Sequence, residues 1–150
     1  MNLCQIFSHW EQVRTDLFAT IDKFEEADLT FVPFGGSWPV GQMMLHIADA
    51  EDGWIRYAVT RELDQWPEQY CLENYPTKAA IKSALTTVHN HTEQYLESLD
   101  EASTTQLVAV PWGEQISLLW IIWHVVEHEI HHRGELSLIL GLFGREGLDV

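Results

Sequence analysis

The chain has 150 residues, about one domain's worth, and its 46% hydrophobic and 21% charged content is that of a folded globule rather than a disordered segment. Eight Lys and Arg face 23 Asp and Glu, a formal charge of -15, which repels phosphate backbones and anionic headgroups and disfavours nucleic-acid and membrane-surface roles. No stretch approaches the run of about 20 apolar residues that spans a bilayer, and the opening MNLCQIFSHWEQ lacks a secretory signal, so a cytoplasmic protein is expected.

Gly and Pro punctuate the chain rarely, and the gaps between them carry the predicted elements. Residues 1–32 contain neither, and Leu3, Ile6, Trp10, Val13, Leu17, Ile21 and Phe24 step by three or four, which predicts helix one. The run from Pro33 to Pro39 is a loop, with Pro39 suited to a first helical turn. Helix two is predicted from Val40 to Arg61. Pro67 and Pro76 bracket the next connection, and Thr77 is placed to cap helix three, whose apolar positions are Ile81, Leu85, Val88, Tyr95 and Leu99. Leu107 to Val110 followed by Pro111-Trp112-Gly113 reads as a short strand or hairpin. Ser117 then caps helix four, carried to Gly141. Four amphipathic helices bury their stripes against one another, so the fold class expected is all-α, a single four-helix bundle in one domain over residues 1–150.

The eight histidines are unevenly spread, with His124, His128, His131 and His132 inside nine residues of helix four. At about 100° per residue, His128 and His132 share the stripe of Ile121, Val125, Leu136 and Ile139, whereas His124 and His131 fall on the flank with Glu127 and are expected in solvent. Imidazoles at i and i+4 can reach one ion through bonds of about 2.0–2.1 Å. A third inward imidazole, His46, comes from helix two beside Met43, Ile47 and Trp54. His9, His89 and His91 lack such company and are expected at the surface. His128-Glu129-Ile130-His131-His132 also matches the H-E-x-x-H pattern of metalloproteases, but no His follows His132 to complete such a site, so peptidase activity is disfavoured. Glu129 keeps two readings, a carboxylate beside the ion or a helix-surface carboxylate. Cys4 and Cys71 sit in no Cys/His pattern and read as reduced thiols without a catalytic part.

Two segments carry a family resemblance: Trp38-Pro39-Val40-Gly41-Gln42-Met43-Met44-Leu45-His46 with Ala48-Asp49-Ala50-Glu51, and Pro111-Trp112-Gly113 through His124 to Leu136. They look like the W-x-V-G-x-x-x-x-H and H-x-x-x-H-R-G signatures, and the chain resembles the DinB/YfiT-like family of metalloproteins. The resemblance implies a four-helix bundle holding one divalent ion, Zn²⁺, Ni²⁺ or Fe²⁺, on His46, His128 and His132. Pro39 stands where the family often has Ser or Thr, and Glu135 where Gln is common. The resemblance further implies transfer of a low-molecular-weight thiol, such as bacillithiol, mycothiol or glutathione, to electrophilic small molecules. The alternatives are a metal-dependent hydrolase of a small substrate and a metal-binding stress protein without turnover. The sequence assigns no catalytic side chain.

A further apolar stripe on helix four, Leu119, Trp123, Val126 and Ile130, lies about 140° to 180° from the histidine face. Either the 100–116 segment covers it or a second copy does, and the resemblance favours a homodimer.

Overall fold

The structure is a computed structural model that describes residues 1–147. Its helices are α1 (Leu3–Ile6), α2 (Trp10–Asp22), α3 (Val40–Asp52), α4 (Lys78–Glu97) and α5 (Leu118–Leu142), and the last four form a four-helix bundle. Between α4 and α5 stand two short strands, β1 (Leu107–Ala109) and β2 (Gln115–Ser117). α3 packs against α4 and α5, and α2 against α5 and, more lightly, α4, which closes the bundle.

The caps lie where the sequence puts them. The Thr77 hydroxyl accepts the Ala80 amide at 3.1 Å to start α4, and the Ser117 hydroxyl accepts the Trp120 amide at 3.3 Å to start α5. The hairpin is also present, with Val108 opposite Ile116, and Gly113 adopts the left-handed φ of +96° needed to close its turn.

Helix one departs from expectation, because residues 1–32 are not a continuous helix. The Leu3 amide donates to the Leu99 carbonyl at 3.1 Å and Asn2 pairs with Asp100, which ties the first turn to the exit of α4. A break at residues 7–9 follows, with Leu3, Phe7 and Trp10 all buried around it. At the other end α2 stops at Asp22, and Asp28 accepts the Glu25 amide at 2.6 Å, nucleating a separate 3₁₀ turn, Glu26–Thr30. Helix two ends earlier than Arg61: α3 runs into a π-helical segment, Gly53–Val59, and Arg61 itself takes a positive φ of 60°.

The core has two main clusters. One gathers Leu17, Ile21, Met44, Leu85, Leu136 and Ile139 from all four bundle helices. The other joins Leu3, Phe7, Trp10 and Val13 to Leu96, Ile122 and Val125. Between these apolar layers lies a buried polar one, where Arg14, Glu51, His89 and Glu129 meet. Among the described residues no helix is long and apolar enough to cross a membrane.

Candidate metal centre

His46 projects from α3, and His128 and His132 project from adjacent turns of α5. The structure brings all three together: His128 Nε2 lies 3.1 Å from His46 Nε2 and 3.1 Å from His132 Nε2. Each is half-buried, so the cluster faces solvent on one side rather than being sealed in the core.

Carboxylates fix the outer rings. His46 Nδ1 is 3.1 Å from Asp49 Oδ2, and His132 Nδ1 is 2.6 Å from Glu135 Oε2. An ionised carboxylate only accepts, so both Nδ1 atoms carry the proton and both Nε2 atoms present lone pairs to the middle. Burial, reinforced by the neighbouring imidazoles of His132, His46, His124 and His131, pushes the pKa of His128 down to about 3. Burial also lowers His132, although Glu135 pulls in the opposite direction. A neutral His128 has at most one N–H to offer to two facing lone pairs. The donor set therefore fits a divalent cation, since nitrogens about 3 Å apart suit adjacent ligands with bonds of about 2.0–2.1 Å.

Aromatic rings border the cluster. Trp38 meets His46 edge-on with centroids 4.6 Å apart, and His124 stacks on Trp120 at 4.8 Å. Trp54 touches His124, Trp112 and Trp120 in edge-on contacts. Trp38, Trp112 and Trp120 are each about half exposed.

The remaining sequence expectations divide. His131 is exposed as expected, and so is His9. His91 is partly exposed and pairs with Glu62 at 2.9 Å, while His124 is half-buried against the tryptophans rather than free in solvent. His89 is a correction: it is only 8% exposed, with Nδ1 donating to Glu51 Oε1 at 2.8 Å. The signal was in the sequence, because His89 follows Leu85 by four residues and precedes Leu96 by seven, on the apolar stripe of α4. Glu129 fits neither of its two readings. It is 1% exposed and points into the bundle, accepting Trp10 Nε1 at 2.8 Å and Arg14 Nη2 at 2.9 Å. In the sequence Asp49 stands only as part of a motif; the signal for its pairing with His46 was the i, i+3 spacing on one helix face.

A helical bundle with three imidazole nitrogens converging between its second and fourth long helices defines a class of protein built around a candidate divalent-metal centre. The sequence profile of the DinB superfamily matches residues 9–136, and the chain belongs to that superfamily. Among curated proteins it is 28% identical over 138 residues to YizA of Bacillus subtilis (strain 168), an uncharacterized protein, covering 91% of this chain and 84% of YizA. Among solved structures, a DinB-like protein from Bacillus cereus superposes with a TM-score of 0.77 at 16% identity, covering 96% of this chain and 94% of that one. YfiT from Bacillus subtilis, described as a probable metal-dependent hydrolase with an unusual four-helix bundle topology, superposes with a TM-score of 0.60 at 21% identity over 89% of this chain and 87% of YfiT.

Proposed function

We propose that the chain is a metal-dependent enzyme in which His46, His128 and His132 hold one divalent ion, Zn²⁺, Ni²⁺ or Fe²⁺, and which transfers a low-molecular-weight thiol to an electrophilic small molecule. The convergence of three Nε2 atoms, 3.1 Å apart in two successive pairs, carries this reading. A divalent ion bound there supplies Lewis acidity, which depresses the pKa of a thiol or water and polarises a carbonyl. The protein's part is to hold the lone pairs in place through Asp49 and Glu135 and to keep His128 neutral by burial. The half-exposed rings of Trp38, Trp112 and Trp120 offer an apolar rim suited to an organic substrate.

Thiol transfer is preferred to hydrolysis because the nearby carboxylates have other tasks. Asp49 and Glu135 each accept from a ligand imidazole, and Glu129 is buried on Arg14 and Trp10. A thiol, already close to ionising at neutral pH, has least need of a protein base. The hydrolase reading draws support from the description of YfiT. Cytoplasmic residence belongs to the same proposal, with Cys4 and Cys71 unpaired and reduced.

The test compares thiol conjugation to a model electrophile with ester hydrolysis, using metal-loaded protein. Conjugation is expected to survive the double variant Cys4→Ser, Cys71→Ser and to disappear on chelation or in His132→Ala. Hydrolysis independent of added thiol would replace this reading with the hydrolase, and metal uptake with neither activity would replace it with a metal-binding protein.

We also propose a homodimer. The hairpin leaves Leu119, Ile130 and above all Trp123, 56% exposed, in solvent, while Val126 of the same stripe is buried in the core. A second copy would bury that stripe. Light scattering at micromolar concentration is expected to give twice the 17.3 kDa chain mass, and a monomer would refute the dimer.

A further inference from the structure

His128 and His132 share one helix, so the backbone of α5 fixes their spacing. His46 comes from another helix and needs its aim set independently. Its Nδ1 donates to Asp49 Oδ2, and the other oxygen of that carboxylate, Oδ1, accepts the indole N–H of Trp66 at 2.6 Å. Trp66 lies in the connection between α3 and α4, 17 residues from Asp49 in sequence. Because each oxygen has its own donor, Asp49 cannot rotate away from His46 without giving up the indole bond.

The indole has a seat prepared for it. His46, Asp49 and Gly53 follow one another at i, i+3 and i+7 and so share a helix face. A Cβ on Gly53 would stand 2.3 Å from Trp66 Cε2 and Cζ2, so only glycine leaves room for the ring there. Trp54 and Tyr57, from the π-helical segment, hold the indole edge-on at 6.3 and 6.0 Å between centroids.

We propose that Trp66 is a positioning residue for the metal centre, acting through Asp49 to fix the tautomer and direction of His46, with Gly53 as the seat that admits its ring. This rests on His46 being a metal ligand. Partners of metal-bound imidazoles typically change affinity by about 10- to 100-fold when removed. Docking of the α3–α4 connection thereby becomes part of the metal site.

The test uses the full chain, Zn²⁺ affinity by chelator competition, and the visible spectrum of the Co²⁺-loaded protein. Trp66→Phe keeps the ring and loses the N–H, while Gly53→Ala displaces the ring and leaves the N–H intact. Because both act one bond beyond Asp49, the direct partner of His46, each is expected to bind Zn²⁺ up to about 10-fold more weakly and to alter the Co²⁺ spectrum, with far-UV circular dichroism retained. Wild-type affinity and an unchanged Co²⁺ spectrum in Trp66→Phe would overturn the proposal, whatever Gly53→Ala did. A wild-type chain that took up neither ion would overturn the metal reading and this proposal with it.

Discussion

Replacing His128 by Ala is expected to abolish stoichiometric metal binding, whereas His131→Ala should leave it intact. His128 Nε2 is the middle atom of the cluster, 3.1 Å from each of the other two, while the His131 side chain is 63% exposed, pairs with Glu135 at 3.3 Å and meets the His132 ring edge-on without entering the Nε2 cluster. Metal analysis of the two purified variants reads this directly, and equal loss from both would mean that the ligand set is misassigned. The same substitution has a second signature in the ion-free chain. The pKa of His128 falls from 6.5 to about 3 on folding, so between those values the unfolded chain binds a proton that the folded chain refuses. Folding stability is therefore lost as pH drops through that window, by less than the limiting value of about 1.4 kcal/mol per pH unit, because solvent partly screens the half-buried ring. Urea midpoints measured from pH 6.5 down to 4 should fall less steeply in His128→Ala than in wild type.

The second large effect lies away from the metal centre. Arg14→Ala is expected to cost about 3–5 kcal/mol of stability, because it removes the cation from a buried ion-pair cluster and leaves the carboxylates behind. Arg14 is 7% exposed and its Nη2 lies 2.5 Å from Glu51 and 2.9 Å from Glu129, each only 1% exposed. Burial raises the pKa of Glu51, but the guanidinium and the hydrogen bond from His89 more than offset it, and the net shift is downward. Glu129 shifts upward, through burial and the charge of Glu51 against the partial compensation of Arg14. Without Arg14 both carboxylates would rise above their unfolded values, so the variant's deficit should be larger at pH 8 than at pH 5. Denaturant titration at the two pH values checks this, and a loss under about 1 kcal/mol at both would show that the cluster adds little. Metal stoichiometry should persist in the folded fraction, because Arg14 touches none of the three ligand histidines.

The parts of this molecule legible in the sequence are those written in local chemistry. Thr77 and Ser117 announce helix starts because a hydroxyl beside an apolar run satisfies a free amide. His128 and His132 read as a pair because i and i+4 lie on one helix face. The break near His9 was not legible, since it depends on the Leu3 amide finding the Leu99 carbonyl, 96 residues away in sequence, and no Gly or Pro marks it. Nothing in the sequence marks Arg14 and Glu51 as buried, and neither reading of Glu129 places it in a buried ion-pair cluster, because a buried charge is recognisable only when its partners on other helices are known. Trp66 is hidden for the same reason: its target, Asp49, lies across a loop rather than along a helix.

His46 and His128 are 82 residues apart in sequence, yet their nitrogens nearly touch. An ion that binds both acts as a removable cross-link between α3 and α5, favouring the folded chain in proportion to metal supply and to affinity. Starvation for the metal would then do more than empty the site. It would enlarge the unfolded fraction open to proteases, so the amount of protein in the cell would itself follow metal availability.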